Sequence, residues 1–389
     1  MGAPRVVVVG GSGFYGRYVV ADLLRQPEVT VTVVSRRPPA PGFGSPRVDW
    51  VAADRTDGPR LAELFADAAA VVHCAGPFPA IGAQPWEPLR AALAARVPYV
   101  DISEDRAFRH GALELAAGAE VSVVTGASVV PGLQALLVRD LAQGLDRVDA
   151  VRCSAAPDTR RHRGPAMFEA MLHGAGLRFE APRGGKAATV YGWSEPEWVQ
   201  FPPPVGRRLV HQVYEMADLD VLPELFGART VSFKAGTEFG TLNRALGAFA
   251  AFRARTGRPR QPERWTPVVR GVSWLVGRFG DEAGAFMVEV TGPRGGRTLT
   301  RRIGLTVLEH GGRIPALLAG IAVERLLGGA LDTPGVLPLD RWLPAADLYA
   351  AFKDRDVRLW TTTSDDTDDW RIRLFPSAKV EGRDVGRLI

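Results

Sequence analysis

Lysine is scarce in this chain: four residues, Lys186, Lys234, Lys353 and Lys379, against 44 arginines among 389 residues. The formal charge of +5 is therefore carried by arginines scattered along the whole length. Scattered arginines do not make a basic stripe, so the charge excludes a nucleic-acid footprint rather than suggesting one. An Arg-, Ala-, Gly- and Pro-rich composition can follow the base composition of a genome as readily as function. Cysteine is nearly absent. Cys74 and Cys153 stand alone, at no metal or redox spacing, which excludes a disulfide framework and fits a reducing compartment. No apolar run approaches the roughly 20 residues that span a bilayer. No basic segment followed by an apolar one opens the chain, so no signal peptide is read and a cytoplasmic location is expected. Internal repeats, low-complexity segments and zinc-ligand clusters are also missing, as is a placed Ser/His/Asp set.

What is present is concentrated at the start. Val6 to Val9 form a continuous apolar run, the pattern of a strand buried on both faces of a parallel sheet. The run enters Gly10-Gly11-Ser12-Gly13-Phe14-Tyr15-Gly16, and a helical pattern follows from Arg17 to Leu24. Two glycine templates fit at once: Gly11, Gly13 and Gly16 as G-x-G-x-x-G, and Gly10, Gly13 and Gly16 as G-x-x-G-x-x-G. Either permits a tight turn, close approach of backbone N–H groups to a pyrophosphate, and close packing of helix on strand. The helix N-terminus adds partial positive charge. Its place after a strand and before a helix distinguishes this loop from a purely structural glycine turn.

The second strand, Val29 to Val34, ends in Ser35-Arg36-Arg37. A carboxylate here would hold a ribose 2′-hydroxyl; two guanidiniums suit a 2′-phosphate. The cofactor expected is NADP(H). Further strands are read at Arg47 to Ala53, before Asp54, at Ala69 to Cys74, at Val97 to Ile102 and at Glu120 to Thr125. Helices are read at Leu61 to Ala68, Pro85 to Arg96 and Phe108 to Ala117. This alternation predicts an α/β fold, a Rossmann-type doubly wound parallel sheet. Ligands then sit at the carboxyl ends of the strands, where Gly10–Gly16, Ser35–Arg37, Asp54, Ala75–Phe78, Asp101 and Ser128 fall.

Several of these segments carry a resemblance. The glycine loop, Ala75-Gly76-Pro77-Phe78 with Gly82, Tyr99-Val100-Asp101 with Glu104, and Gly126-Ala127-Ser128-Val129-Val130-Pro131-Gly132 together resemble the NADP-binding domain of the saccharopine dehydrogenase-like (saccharopine reductase-type) oxidoreductases. The match covers about the first 135 residues and returns faintly at Thr333-Pro334-Gly335-Val336. One departure is Ser103, where the family pattern has glycine before the Glu. The resemblance implies hydride transfer to a C=N, C=O or activated C=C bond of a small molecule; with no zinc-ligand cluster in the sequence, the reaction is expected to need no metal. It also implies that Ala75 to Phe78 line the cofactor near the nicotinamide ribose, with Asp101 and Ser128 at the mouth of the nicotinamide pocket; Cys74, next to Ala75, is counted with the cofactor-binding residues. Read from the residues alone, Cys74 is a small buried side chain and Asp101 a strand-end cap.

The expected domains are residues 1–131, completed by 311–355, for NADP; 132–310 as an inserted α+β substrate domain; and 360–389 as an exposed tail. In the middle region, Arg160-Arg161-His162-Arg163 is either an anion-binding loop or a solvated one. Pro267 to Phe279 is a greasy helix, read as packed on its domain or on a dimer partner in preference to a membrane-surface helix or a lid over an apolar substrate. Ala285 to Thr291 and Arg297 to Glu309 flank Gly292-Pro293-Arg294-Gly295-Gly296 as a hairpin that closes a cleft or pairs across a homodimer. Reduction needs a proton donor. Asp101 and Tyr99 lead, then His162, ahead of Tyr191, His211 and Lys234. Two alternatives stay open: an extended short-chain dehydrogenase or epimerase, and a non-catalytic NADP(H) sensor. Tyr349-x-x-x-Lys353 mimics the short-chain dehydrogenase pair but lies some 200 residues too late.

Overall fold

The computed structural model describes residues 2–38, 45–78, 85–160, 164–362 and 370–372. The chain forms two compact units. Of the described residues, the first comprises 2–133 and 315–342, the second 134–314, 343–362 and 370–372.

The first unit begins with β1 (Arg5–Val9), α1 (Gly16–Leu23), β2 (Thr30–Ser35), β3 (Val48–Ala52), α2 (Gly58–Phe65) and β4 (Ala70–His73). It continues with α3 (Glu87–Ala94), β5 (Tyr99–Asp101), α4 (Arg106–Leu115) and β6 (Ser122–Val124). All neighbouring strands are parallel, in the order β3-β2-β1-β4-β5-β6. A short strand, Gly335–Val336, adds to β6 as a seventh. The order reverses between β1 and β4, which makes that boundary the topological switch point of a doubly wound sheet. Val6 to Val9 are at most 1% exposed, as a strand covered on both faces requires. One face packs Leu61, Phe65, Leu89, Ala92 and Phe108 of α2, α3 and α4 against Val7, Val9, Val71, Tyr99 and Val123. A returning helix, Leu317–Leu327, packs on α1, β4 and β5. Asp57 and Asp105 cap α2 and α4, accepting from Arg60 N at 3.2 Å and Phe108 N at 2.7 Å.

The second unit opens with α5 (Gln134–Leu141), β7 (Ala150–Ala156), α6 (Pro165–Gly174), and the hairpin β8 (Arg178–Arg183) and β9 (Lys186–Tyr191). Then come β10 (Glu197–Gln200), β11 (Arg207–Gln212), α7 (Asp218–Phe226), β12 (Thr230–Ala235), α8 (Gly240–Thr256), α9 (Thr266–Gly277), β13 (Gly284–Arg294) and β14 (Arg297–Val307). A mixed eight-stranded sheet runs β10-β11-β12-β7-β13-β14, then Arg358–Thr362 and Trp370–Ile372. Helices α5 and α7 pack on one face. On the other, the β10–β11 segment lays Val199, Phe201 and Val205 over Ala156, Ala285 and Met287.

Three details differ from the sequence expectation. The helix Ala345–Asp354 belongs to the second unit, so only residues 315–342 return to the first. Residues 358–362, partly assigned to a tail, pair with β14 and bury Leu359 and Trp360. The β8–β9 hairpin, turning at Gly184-Gly185, is a pairing the sequence does not announce, because its strands are too polar to show apolar alternation. The greasy helix α9 leaves Val268, Trp274 and Leu275 exposed, at 62, 47 and 56%, and Phe279 just past its end is 80% exposed.

Candidate nucleotide-binding site

The described parts of the loops after β1 to β6 lie at the carboxyl edge of the first unit's sheet. At the switch point Gly10 takes φ +79° and donates to Val34 O at 2.7 Å. Gly13 N donates back to Gly10 O at 2.9 Å. A Cβ at Gly10 would sit 2.7 Å from Ala75 Cα, and one at Gly16 would overlap the Gly10 carbonyl oxygen. The loop is thus pressed against both the following helix and the loop after β4, and Gly10, Gly13 and Gly16 are the template the backbone uses. Gly11 meets β2 instead, where its Cβ would lie 3.0 Å from Val33. Helix α1 has no side-chain cap and no acid in its first turn, leaving its N-terminus available to an anion. Phe14 and Tyr15 stack edge-on at 5.1 Å, and the Arg17 guanidinium lies 4.8 Å from the Phe14 ring. Ser12 is half-buried on the same turn.

After β2, Ser35 Oγ donates to Arg37 O at 2.7 Å and accepts from Trp50 Nε1 at 2.9 Å. The Arg36 side chain is 81% exposed, and its nearest carboxylate is Asp54, at 4.0 Å. Asp54 is itself engaged: Thr56 N and Oγ1 donate to Oδ1 at 3.0 and 2.8 Å and hold the carboxyl below its usual range. Trp50, whose indole is 38% exposed beside Ser35, was not read from the sequence, where an edge-strand Trp carries no signal.

Arg55 was also missed. Its Nη1 donates to Ala75 O at 2.5 Å and Pro77 O at 3.1 Å, tying the β3 loop to the β4 loop. Burial draws its guanidinium below the usual value. The Ala75–Phe78 turn sits on an aromatic cluster: the Phe78 ring lies 5.0 Å from both His73 and Phe108. His73 is fully buried, with Nδ1 2.9 Å from Tyr99 Oη. Burial, helped by the charge of Arg55, lowers His73 to about 3, so the ring is neutral. Cys74 is buried under the turn, and burial with the nearby Asp101 charge pushes its thiol up.

The two leading donor candidates are both inside the protein. Tyr99 is 0% exposed, hydrogen-bonded to His73, and raised far above the usual phenol value by burial. Asp101 is also 0% exposed, and its Oδ1 accepts from Ser103 N and Gly126 N, each at 2.9 Å. Burial pushes this carboxyl up to about 6, against the pull of those two N–H groups, Thr125 and Arg109. Asp101 thereby clips the β5 loop to the β6 loop, where Gly126 takes φ +79°. Ser128 is buried and donates to Glu104 Oε1 at 2.8 Å, so the Ser103 departure does not keep Glu104 from the β6 loop. His162 lies outside the described residues. Of the lesser candidates, His211 is buried in the second unit and Lys234 pairs with Glu197 at 2.6 Å.

The fold defines the class: a Rossmann-like, doubly wound α/β unit and a second, mixed-sheet unit. A family model described as the NAD-dependent epimerase/dehydratase family matches residues 6–94, from β1 through α3. The solved structure of saccharopine dehydrogenase (L-Glu forming) from Saccharomyces cerevisiae is 14% identical and superposes with a TM-score of 0.64, covering 92% of this chain and all of that one. This chain shares that fold, and the resemblance read from the sequence stands at that level. DAP dehydrogenase from C. glutamicum, 15% identical, covers 92% of this chain and all of its own at a TM-score of 0.45, too low to carry a fold assignment. A search of curated protein sequences gives no significant match.

Proposed function

We propose that this protein is an NADPH-dependent oxidoreductase that transfers a hydride to a C=N, C=O or activated C=C bond of a small organic substrate. The observation that supports the reading is the joint built by Gly10 and Gly16, where the missing Cβ atoms let the glycine loop press against the loop after β4 and against α1, whose uncapped start suits a pyrophosphate. The residues fit a dinucleotide: the glycine loop takes the phosphates, Ser35, Arg36 and Arg37 take a 2′-phosphate, and Trp50 flanks the same strand end. Ala75 to Phe78 and the Ser128–Glu104 pair, on the far side of the switch point, face the nicotinamide half. When bound, the cofactor supplies the hydride.

The chain's own part is to hold that half of the site. Arg55 fixes the β4 turn from one side and the His73–Tyr99 pair with Phe108 supports it from beneath. Asp101 fixes the β6 loop through Gly126. Tyr99 and Asp101 are thus positioning residues in this reading, and the Ser128–Glu104 hydroxyl–carboxylate couple is the proton-handling group it assigns. The epimerase reading is weaker. Tyr349, of the short-chain-like pair, lies in the second unit and donates to Asp140 Oδ2 at 2.6 Å, and the epimerase match ends before β5.

Direct binding measurements test the cofactor. NADPH is expected to bind at least about tenfold more tightly than NADH, a difference of about 1.4 kcal/mol. Arg36→Ala with Arg37→Ala should erase it by weakening NADPH alone. Equal affinities in the native protein would remove the NADP assignment. Failure to oxidise NADPH across imines, ketones and enones, despite tight binding, would favour the sensor. The exposed face of α9 supports a homodimer.

A further inference from the structure

The second unit holds a charged cavity of about 330 Å³, on the sheet face away from α5 and α7. Its floor follows from strand register. In one row Ser232, Arg152, Glu289 and Arg302 stand side by side across β12, β7, β13 and β14. In the next row stand Lys234, Ser154, Met287 and Gly304. Side chains two apart on a strand share a face, so both rows look the same way. Strand β10 and Arg207 of β11 form the wall.

The charges in this cavity do not cancel. Glu289 spends both oxygens on the floor, Oε1 on Arg152 Nη1 at 3.0 Å and Oε2 on Arg302 Nε at 2.6 Å. One carboxylate thus serves two guanidiniums. Lys234 and Glu197 neutralise each other at 2.6 Å. Arg207 lies over the Trp198 ring, 4.9 Å from its centre. Among the described lining residues two positive charges are left over. Cross-strand ion pairing alone would explain a balanced ladder. It does not explain the Nη1 of Arg302, which is buried with no hydrogen-bond acceptor among the described residues, on a residue only 9% exposed. A buried donor left unpaired is costly, and that cost is recovered when an anion supplies the acceptor.

We propose that this cavity binds a small organic dianion, with one anionic group at Arg302 and Arg152 and the second toward Arg207. Carboxylate and phosphate share the chemistry, since a guanidinium fork pairs with either. The volume suits a compact metabolite and excludes a dinucleotide. The proposal does not depend on the nicotinamide reading of the first unit.

Calorimetric titration of the intact protein at constant ionic strength tests it, with glutarate and inorganic phosphate as probes and butyrate as the singly charged control. At least one dianion should bind saturably and about tenfold or more tightly than butyrate. Arg302→Met, which keeps the stem, and Arg207→Glu, at an exposed position, should each weaken that binding by about tenfold or more. Glutarate binding without phosphate binding identifies a dicarboxylate, and the converse identifies a phosphate ester. Absence of saturation by either probe at about 10 mM, or variants that bind as well as the parent, would overturn the proposal. Arg207→Glu keeps the test open if Arg302→Met fails to fold. NADPH titrated separately distinguishes the two readings: glutarate binding without NADPH binding sustains this site and removes the oxidoreductase.

Discussion

His73 and Asp101 are neighbours across β4 and β5, both fully buried, and their protonation pulls stability in opposite directions. Asp101 is raised from 3.8 to about 6, so the folded state binds its proton first and this residue adds stability as pH falls from about 6 to 4. His73 is lowered from 6.5 to about 3, so the unfolded state binds its proton first and stability is lost as pH falls from 6.5 towards 3. Between pH 6 and 4 the two largely offset. Asp101→Asn keeps an oxygen for Ser103 N and Gly126 N but removes the titration. Urea denaturation should then show the variant losing about 3 kcal/mol more than the parent on going from pH 6.5 to 4. An unchanged pH slope would mean that Asp101 does not titrate in that window. The sequence placed Asp101 at the correct strand end, because strand ends can be read locally. It could not show that the carboxylate points inward, since Gly126, which it grips, is 25 residues away.

Among the elements, the legible ones carry their own signal. The β1 valines, the glycine loop and the alternation of strand and helix give the first unit's order through β6. Arg47 shows what is not legible. Its Nη2 donates to Leu24 O at 2.7 Å and its Nη1 to Gln26 O at 2.7 Å, and Pro27 O and Val29 O are each 3.2 Å away. One side chain thus serves the carbonyls between the end of α1 and the start of β2, and fixes the helix that backs the glycine loop. Arg47→Met should cost about 2–3 kcal/mol in chemical denaturation, because partly buried carbonyls lose a charged donor. A change under about 0.5 kcal/mol would show that water replaces it. The floor of the dianion cavity was illegible for the same reason: Arg152, Lys234, Glu289 and Arg302 are assembled by register across four strands.

For the molecule as a whole, the exposed face of α9 is the main feature still to be matched to a partner. Trp265, Val268, Trp274, Leu275 and Phe279 are 47–80% exposed on and beside one helix. Apolar patches of this kind mark association surfaces. We expect sedimentation to give a dimer for the parent and a monomer for Trp274→Ser combined with Phe279→Ser. A monomeric parent would remove the homodimer.

The split of the first unit across the chain also sets a timetable. Its sheet lacks its seventh strand, and α1, β4 and β5 lack their covering helix, until residues 317–336 exist. Ser122 Oγ likewise waits for the carbonyls of Leu331 and Thr333, 2.5 and 2.9 Å away in the finished fold. About 200 residues separate β6 from these partners, which is roughly 10 to 40 seconds of synthesis at about 5–20 residues per second. Through that interval the ribosome-bound chain holds an uncovered Val-rich sheet, and the second unit is made while it waits. Chaperone demand during translation should therefore concentrate between residues 133 and 336.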